Sequence, residues 1–221
     1  LLLFSTCLSA QSIFPSFGSA RSGTAGFQFT KVDIDPRNTA MGHSAMADLR
    51  GGGSLFWNPA LAVQTEGSEV YGSHTAYFAD IGMEYVGAIY NTGSVAFGLS
   101  MQYMNSGEMN ETTAFNPFGT GRTFQTAHIN LGLTASQKLT NLFSYGITIK
   151  YLQEDLEAVT NATAAIDLGF FYKVGETGLS FAVGLNSFGF DSSPSGQTTR
   201  QGLDGEITED LFEDVTLPTT F

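Results

Sequence analysis

Between about Glu69 and Phe190 the chain alternates between large apolar residues and small or polar ones. In 94–104, Val95, Phe97, Leu99, Met101 and Tyr103 fall on one face and Ser94, Ala96, Gly98, Ser100 and Gln102 on the other. Successive strand side chains point to opposite faces, so this period predicts a β-strand with one greasy face. Segments 126–136, 144–151, 162–173 and 179–186 repeat it, with Ala127, Ile129, Leu131 and Leu133, then Tyr145, Ile147, Ile149 and Tyr151, on the apolar side. Segments 69–77 and 82–90 are strand-like but alternate less cleanly.

A soluble sandwich also alternates. Two features point instead to an all-β transmembrane antiparallel barrel. The segments run roughly 9–12 residues, the length that crosses a bilayer at a tilt. The connections read as sorted by length. Asn91-Thr92-Gly93, 139–141 and 175–177 are tight turns, whereas 105–121, 152–161 and 188–217 are longer. Short turns at one end and long loops at the other mark outer-membrane barrels. The small and polar face then lines the lumen, with His128, Lys150 and Asp167 on it. Lys150 and Asp167 are expected nearly opposite each other across a connection centred near Glu157, as a cross-strand ion pair, with a polar relay for a passing solute as the alternative.

Residues 11–66 do not alternate. They contain Leu49-Arg50-Gly51-Gly52-Gly53-Ser54-Leu55-Phe56-Trp57-Asn58-Pro59-Ala60. Asn58 is a good N-cap and Pro59 suits a first helical position, so a short helix is expected there. The three glycines Gly51, Gly52 and Gly53 permit close backbone packing.

Composition narrows the function classes. Charged residues are 14% of the chain, below the ~25% of soluble domains, and Phe (19) and Gly (26) are abundant. The formal charge is −12, which repels nucleic acid. No run of apolar residues reaches the ~18–20 needed for a membrane helix. Residues 1–10, LLLFSTCLSA, read as part of a signal peptide ending at Leu8-Ser9-Ala10. Cys7 is the one cysteine and leaves with that segment, so no disulfide or cysteine-based metal site is expected.

Ser22-Gly23-Thr24-Ala25-Gly26-Phe27-Gln28-Phe29, the Ala40-Met41-Gly42 step and Phe56-Trp57-Asn58-Pro59-Ala60 resemble the N-terminal signature of the PorV/PorQ family of outer-membrane proteins. The Asn-Pro-Ala step is shared with FadL-type transporters, where it belongs to a plug inside the barrel. Where family members carry a small-residue Asp-Asp stretch, this chain has Leu49-Arg50-Gly51-Gly52-Gly53, so its local plug contacts differ. The resemblance implies a barrel of about fourteen strands with residues 11–66 as an N-terminal plug and 67–221 as barrel strands. The chain itself shows seven strands, with an eighth starting at Leu217, so it is read as a piece cut at both ends. It also implies a place in the outer membrane of a Gram-negative bacterium. The implied role is in type IX secretion or cell-surface attachment, through contacts with outer-membrane lipid, translocon or attachment-complex proteins, and cargo bearing a C-terminal sorting domain. The alternative is a FadL-like channel for hydrophobic small molecules.

Chemistry is sparse. Gly42-His43-Ser44-Ala45-Met46 begins like a nucleophile elbow but ends in Met, and Gly51-Gly52-Gly53-Ser54 lacks a P-loop lysine. Asp204, Glu206, Glu209, Asp210, Glu213 and Asp214 lack calcium-loop spacing and read as a solvated loop. No catalytic residue, metal site or cofactor is expected.

Overall fold

A computed structural model describes residues 25–44, 46–113, 116–175, 177–196, 199–201, 207–209 and 212–221. Residues 1–10, Ser22-Gly23-Thr24 of the family signature, and Asp204, Glu206 and Asp210 of the acidic cluster lie outside them.

Seven long strands follow one another: β1 (Glu69–Ala76), β2 (Gly82–Asn91), β3 (Val95–Asn105), β4 (Ala127–Lys138), β5 (Phe143–Leu156), β6 (Val159–Lys173) and β7 (Ser180–Gly189). Each pairs antiparallel with the next, and Ser195–Gly196 adds a short eighth strand on the upper part of β6. The result is an open antiparallel sheet, with β1 and β7 unpaired to each other among the described residues.

The register carries the alternation straight across the sheet. Val70, Ala88, Leu99, Leu133, Ile149 and Ile166 form one row. Tyr90, Phe97, Ala135, Ile147 and Leu168 form the next. The burial of these rows is inverted relative to a water-soluble sheet. Leu99, Leu133 and Ile149 are 57%, 65% and 59% exposed, whereas Ser100, Thr134 and Thr148 are buried. Soluble monomers rarely leave a contiguous apolar patch beyond a few hundred Å².

The buried face is covered by the N-terminal segment. It contains a 3₁₀ turn (Gln28–Lys31), two short helices, α1 (Pro36–Ala40) and α2 (Ser54–Trp57), and a 3₁₀ helix (Pro59–Gln64). The last lies across β4, β5 and β6. Close approach explains two of the sheet's inward glycines. A Cβ at Gly146 would lie 2.5 Å from the Pro59 carbonyl carbon, and one at Gly87 would lie 2.5 Å from the Gly52 oxygen.

Three expectations need correction. Residues 152–161 are not a long loop: β5 and β6 continue to Leu156 and Val159 and meet through Glu157-Ala158, with Glu157 in the left-handed region (φ 61°). Glu154, Asp155 and Glu157 sit where polar residues fall on both faces, so the period-2 contrast that marks a strand disappears. The ends are consequently less sorted than expected, since 106–126 is the one long connection among β1–β7. Secondly, Leu217 starts no strand. It is fully buried with Phe27, Phe29, Leu152 and Ala165, while Val215 and Thr220 make single bridges to Ser192 and Asn186. Thirdly, the inward face is not only small and polar, because Met83, Tyr85, Ile89, Leu152 and Phe171 also point in.

Candidate functional site: the seat of the N-terminal segment

Asn58 and Pro59 begin the 3₁₀ helix as a cap and first residue should. The Asn58 Oδ1 accepts from the Ala60 N–H at 3.0 Å. The helix is 3₁₀ and not α, and its residues 59–63 are all buried. Gly53 precedes α2 as its N-cap, and Gly51 has a positive φ of 73° that turns the chain into it.

Side chains of the sheet hold this segment mainly by its backbone carbonyls. The Ser144 hydroxyl donates to Ala60 O (2.9 Å), Asn186 Nδ2 to Trp57 O (3.1 Å) and the Tyr85 hydroxyl to Gly52 O (3.0 Å). Asn91 Nδ2 donates to Val63 O (3.2 Å) and Thr65 O (2.6 Å), Gln102 Nε2 to Phe29 O (3.3 Å), and the Ser73 hydroxyl to Ile34 O (2.8 Å). Asn58 Nδ2 runs the other way, donating to Phe170 O at 3.4 Å. A segment with little regular structure has few internal partners for its carbonyls, and the sheet's polar inner face supplies them.

A buried carboxylate organises the segment itself. Asp33 Oδ1 accepts from the Trp57 indole N–H (3.1 Å) and the Asp35 N–H (3.0 Å). Its Oδ2 accepts from Asn38 Nδ2 (2.8 Å) and lies 3.0 Å from His43 Nδ1. Asp33 therefore ties α1 and the His43 turn to Trp57. Nothing in the sequence pattern marks it, because the contacting residues share no period.

Lys150 and Asp167 meet behind the segment. Their Nζ and Oδ2 are 2.5 Å apart, with side chains 3% and 0% exposed. They are not directly opposite: Lys150 is registered with Ala165 and Asp167 with Thr148, so the pair is diagonal. A bulge makes room, because Ile166 pairs with Phe188 and Leu168 with Leu185, leaving Asn186 and Ser187 across from Asp167. The Ser187 N–H donates to Asp167 Oδ1 at 2.7 Å. The Lys150 ammonium also lies 5.6 Å from the centre of the Phe56 ring, so the pair reaches into the covering segment. His128 is inward but away from this pair. Its ring stacks on Phe29 at 5.2 Å and its Nδ1 is 3.8 Å from Glu154.

The arrangement binds and seals. A cavity of about 260 Å³ remains between Phe56, Trp57, Lys150, Asn186, Pro218, Thr220 and Phe221. Two more open spaces border the same segment, of about 330 Å³ beside Phe27, Phe29 and His128 and of about 480 Å³ between Asp35, Thr39, His74 and Tyr77. Among the described residues, no three His, Cys, Asp or Glu side chains are placed to hold a metal ion. Each histidine faces a carboxylate: His43 faces Asp33, His74 faces Glu84, and His128 faces Glu154. No family model matches the chain, and no curated protein matches it either.

Proposed function

We propose that these strands form part of a β-barrel in the outer membrane of a Gram-negative bacterium, plugged by the N-terminal segment. In this reading it serves type IX secretion or cell-surface attachment by binding proteins, as its resemblance to the PorV/PorQ family implies. The observation that carries the membrane reading is the inverted sheet. Outward Phe143, Tyr145, Ile147, Ile149 and Tyr151 on β5 cover about 27 Å of strand at ~3.4 Å per residue. At a tilt of ~40° this rises about 21 Å along the membrane normal, most of the ~25 Å apolar band of outer-membrane barrels. Tyr145, Phe170 and Tyr172 lie towards one end of the band and Tyr103 and Tyr151 towards the other, as interfacial aromatics do. Beyond Tyr151 the outward positions are Gln153 and Asp155. Open edges at β1 and β7 would be intolerable in lipid, so the proposed barrel contains further strands.

The filled inner face favours protein binding over passage of a greasy solute. Inward apolar side chains such as Met83, Tyr85 and Ile89 pack on Ile34, Phe56, Leu55 and Val63, so the N-terminal segment occupies the space beside them. Deletion of the gene is expected to abolish surface display of cargo carrying a C-terminal sorting domain. Unchanged display would overturn the secretion reading. Faster uptake of a labelled fatty acid into protein-containing liposomes than into empty ones would replace it with the channel.

A further inference from the structure

The strand ends opposite turns 92–94, 139–142 and 174–179 form one connected rim. Turn 77–81 touches the long connection 106–126, where a Cβ on Gly107 would lie 2.9 Å from the Asp80 oxygen. Arg122 in that connection lies 3.7 Å from Glu111 and 3.5 Å from Glu157, linking it to the β5–β6 turn. Ser195–Gly196 pairs with Val159 and Thr160, and the Thr163 hydroxyl donates to Phe190 O at 3.2 Å. The rim therefore runs unbroken from Phe78 to Phe190.

Three phenylalanines stand on it uncovered. Phe118 is fully exposed, Phe78 is 81% exposed and Phe190 is 70% exposed. Phe78 and Phe118 lie past the point where the outward face of the strands turns polar at Gln153 and Asp155, so the apolar band does not account for them, whereas Phe190 follows Gly189, the partner of Ala165, and stands level with Tyr151 at the end of the band. Their surroundings are mostly acidic. Asp80, Glu108, Glu111, Glu157 and Asp191 belong to the rim, and Arg122 is the one cation in 77–81, 106–126, 152–163 and 190–196. Exposed aromatic side chains are typical anchors of protein interfaces, and the surrounding charge selects the partner's sign. Phosphate-bearing lipid headgroups share the rim's sign and are disfavoured.

We propose that this rim is a docking surface for a protein whose contact face is basic around an apolar pocket, with Phe118 as the anchor. The inference rests on the reading that this end of the strands stands outside the membrane. The test places a photo-reactive benzoylphenylalanine at position 118 of the full chain in its native host. Illumination should give an adduct with one protein, mapped to a peptide of net positive charge. Raising salt from 0.05 to 0.5 M during washed-membrane illumination should cut the yield about tenfold, as should the charge reversals Glu108→Lys and Glu111→Lys together. Adducts with lipid alone, no protein adduct, an acidic contact peptide or a salt-independent yield would each overturn the proposal. Fractionation of the same cells separates the two failures. A chain in the outer membrane without a protein adduct sinks the docking surface alone, whereas a chain in the soluble fraction sinks the membrane reading beneath it.

Discussion

The two faces of β5 are built from neighbouring residues but obey opposite rules. Tyr145, Ile147, Ile149 and Tyr151 point out and are half-exposed to exposed, while Ser144, Gly146, Thr148 and Lys150 point in and are buried. In a water-soluble sheet the first set would be the core. Here the buried face is made of small and polar groups, and what it buries is another stretch of the same chain. The Ser144 hydroxyl reads the Ala60 carbonyl, Gly146 admits the Pro59 backbone, and Lys150 meets Asp167 under Phe56. The difference teaches that one period-2 pattern can bury its small and polar residues against the same chain and leave its apolar ones outward, with specific contacts placed on the polar face.

Substitutions can break this contrast, from the largest expected effect to the smallest. Lys150→Met leaves Asp167 buried without its cation and should cost about 3–5 kcal/mol in reversible urea unfolding from lipid vesicles. Adding Asp167→Leu should recover most of that loss, because the uncompensated charge is then gone. A double variant no more stable than the single one would show that the pair matters for some other reason. On the outer face, Leu133→Arg should cost about 2–4 kcal/mol if its row lies near the bilayer midplane. Leu133→Ile should be close to neutral in the same assay. An arginine tolerated at Leu133 would argue against lipid contact there.

Gly146→Val drives a side chain into Pro59 and should destabilise by about 1–3 kcal/mol, with faster protease cleavage within residues 25–66. If cleavage in that segment is unchanged, Pro59 does not depend on the glycine. Ser144→Ala removes one donor to the segment and should cost about 1 kcal/mol by the same unfolding measurement.

Much of the fold was legible because the alternation is strict where the faces differ most. The outward set on β3 to β7 and the inward places of Lys150 and Asp167 follow from the period alone. Asn58 and Pro59 announced a helix start through capping chemistry. The 152–161 hairpin was hidden because both of its faces are polar. Met83, Tyr85 and Ile89 were hidden because β2 mixes its faces around Gly87. The diagonal offset of Asp167 from Lys150 comes from the β5–β6 register, and the bulge at Asn186 and Ser187 beside Asp167 depends on long-range pairing. The Asp33 hub and the burial of Leu217 depend on contacts between distant, non-periodic segments, which no local pattern carries.

The central claim is that one face of this sheet meets lipid and the other meets the N-terminal segment. Nitroxide scanning of positions 144–151 tests it most directly, with the protein in lipid bilayers and Cys7→Ser as the background, since Cys7 is the one cysteine of the sequence. Collision with oxygen, which concentrates in lipid, should be high at 145, 147, 149 and 151. Collision with both oxygen and a water-soluble nickel chelate should be low at 144, 146, 148 and 150. High nickel accessibility at 147 and 149, or no alternation along the strand, would contradict the account.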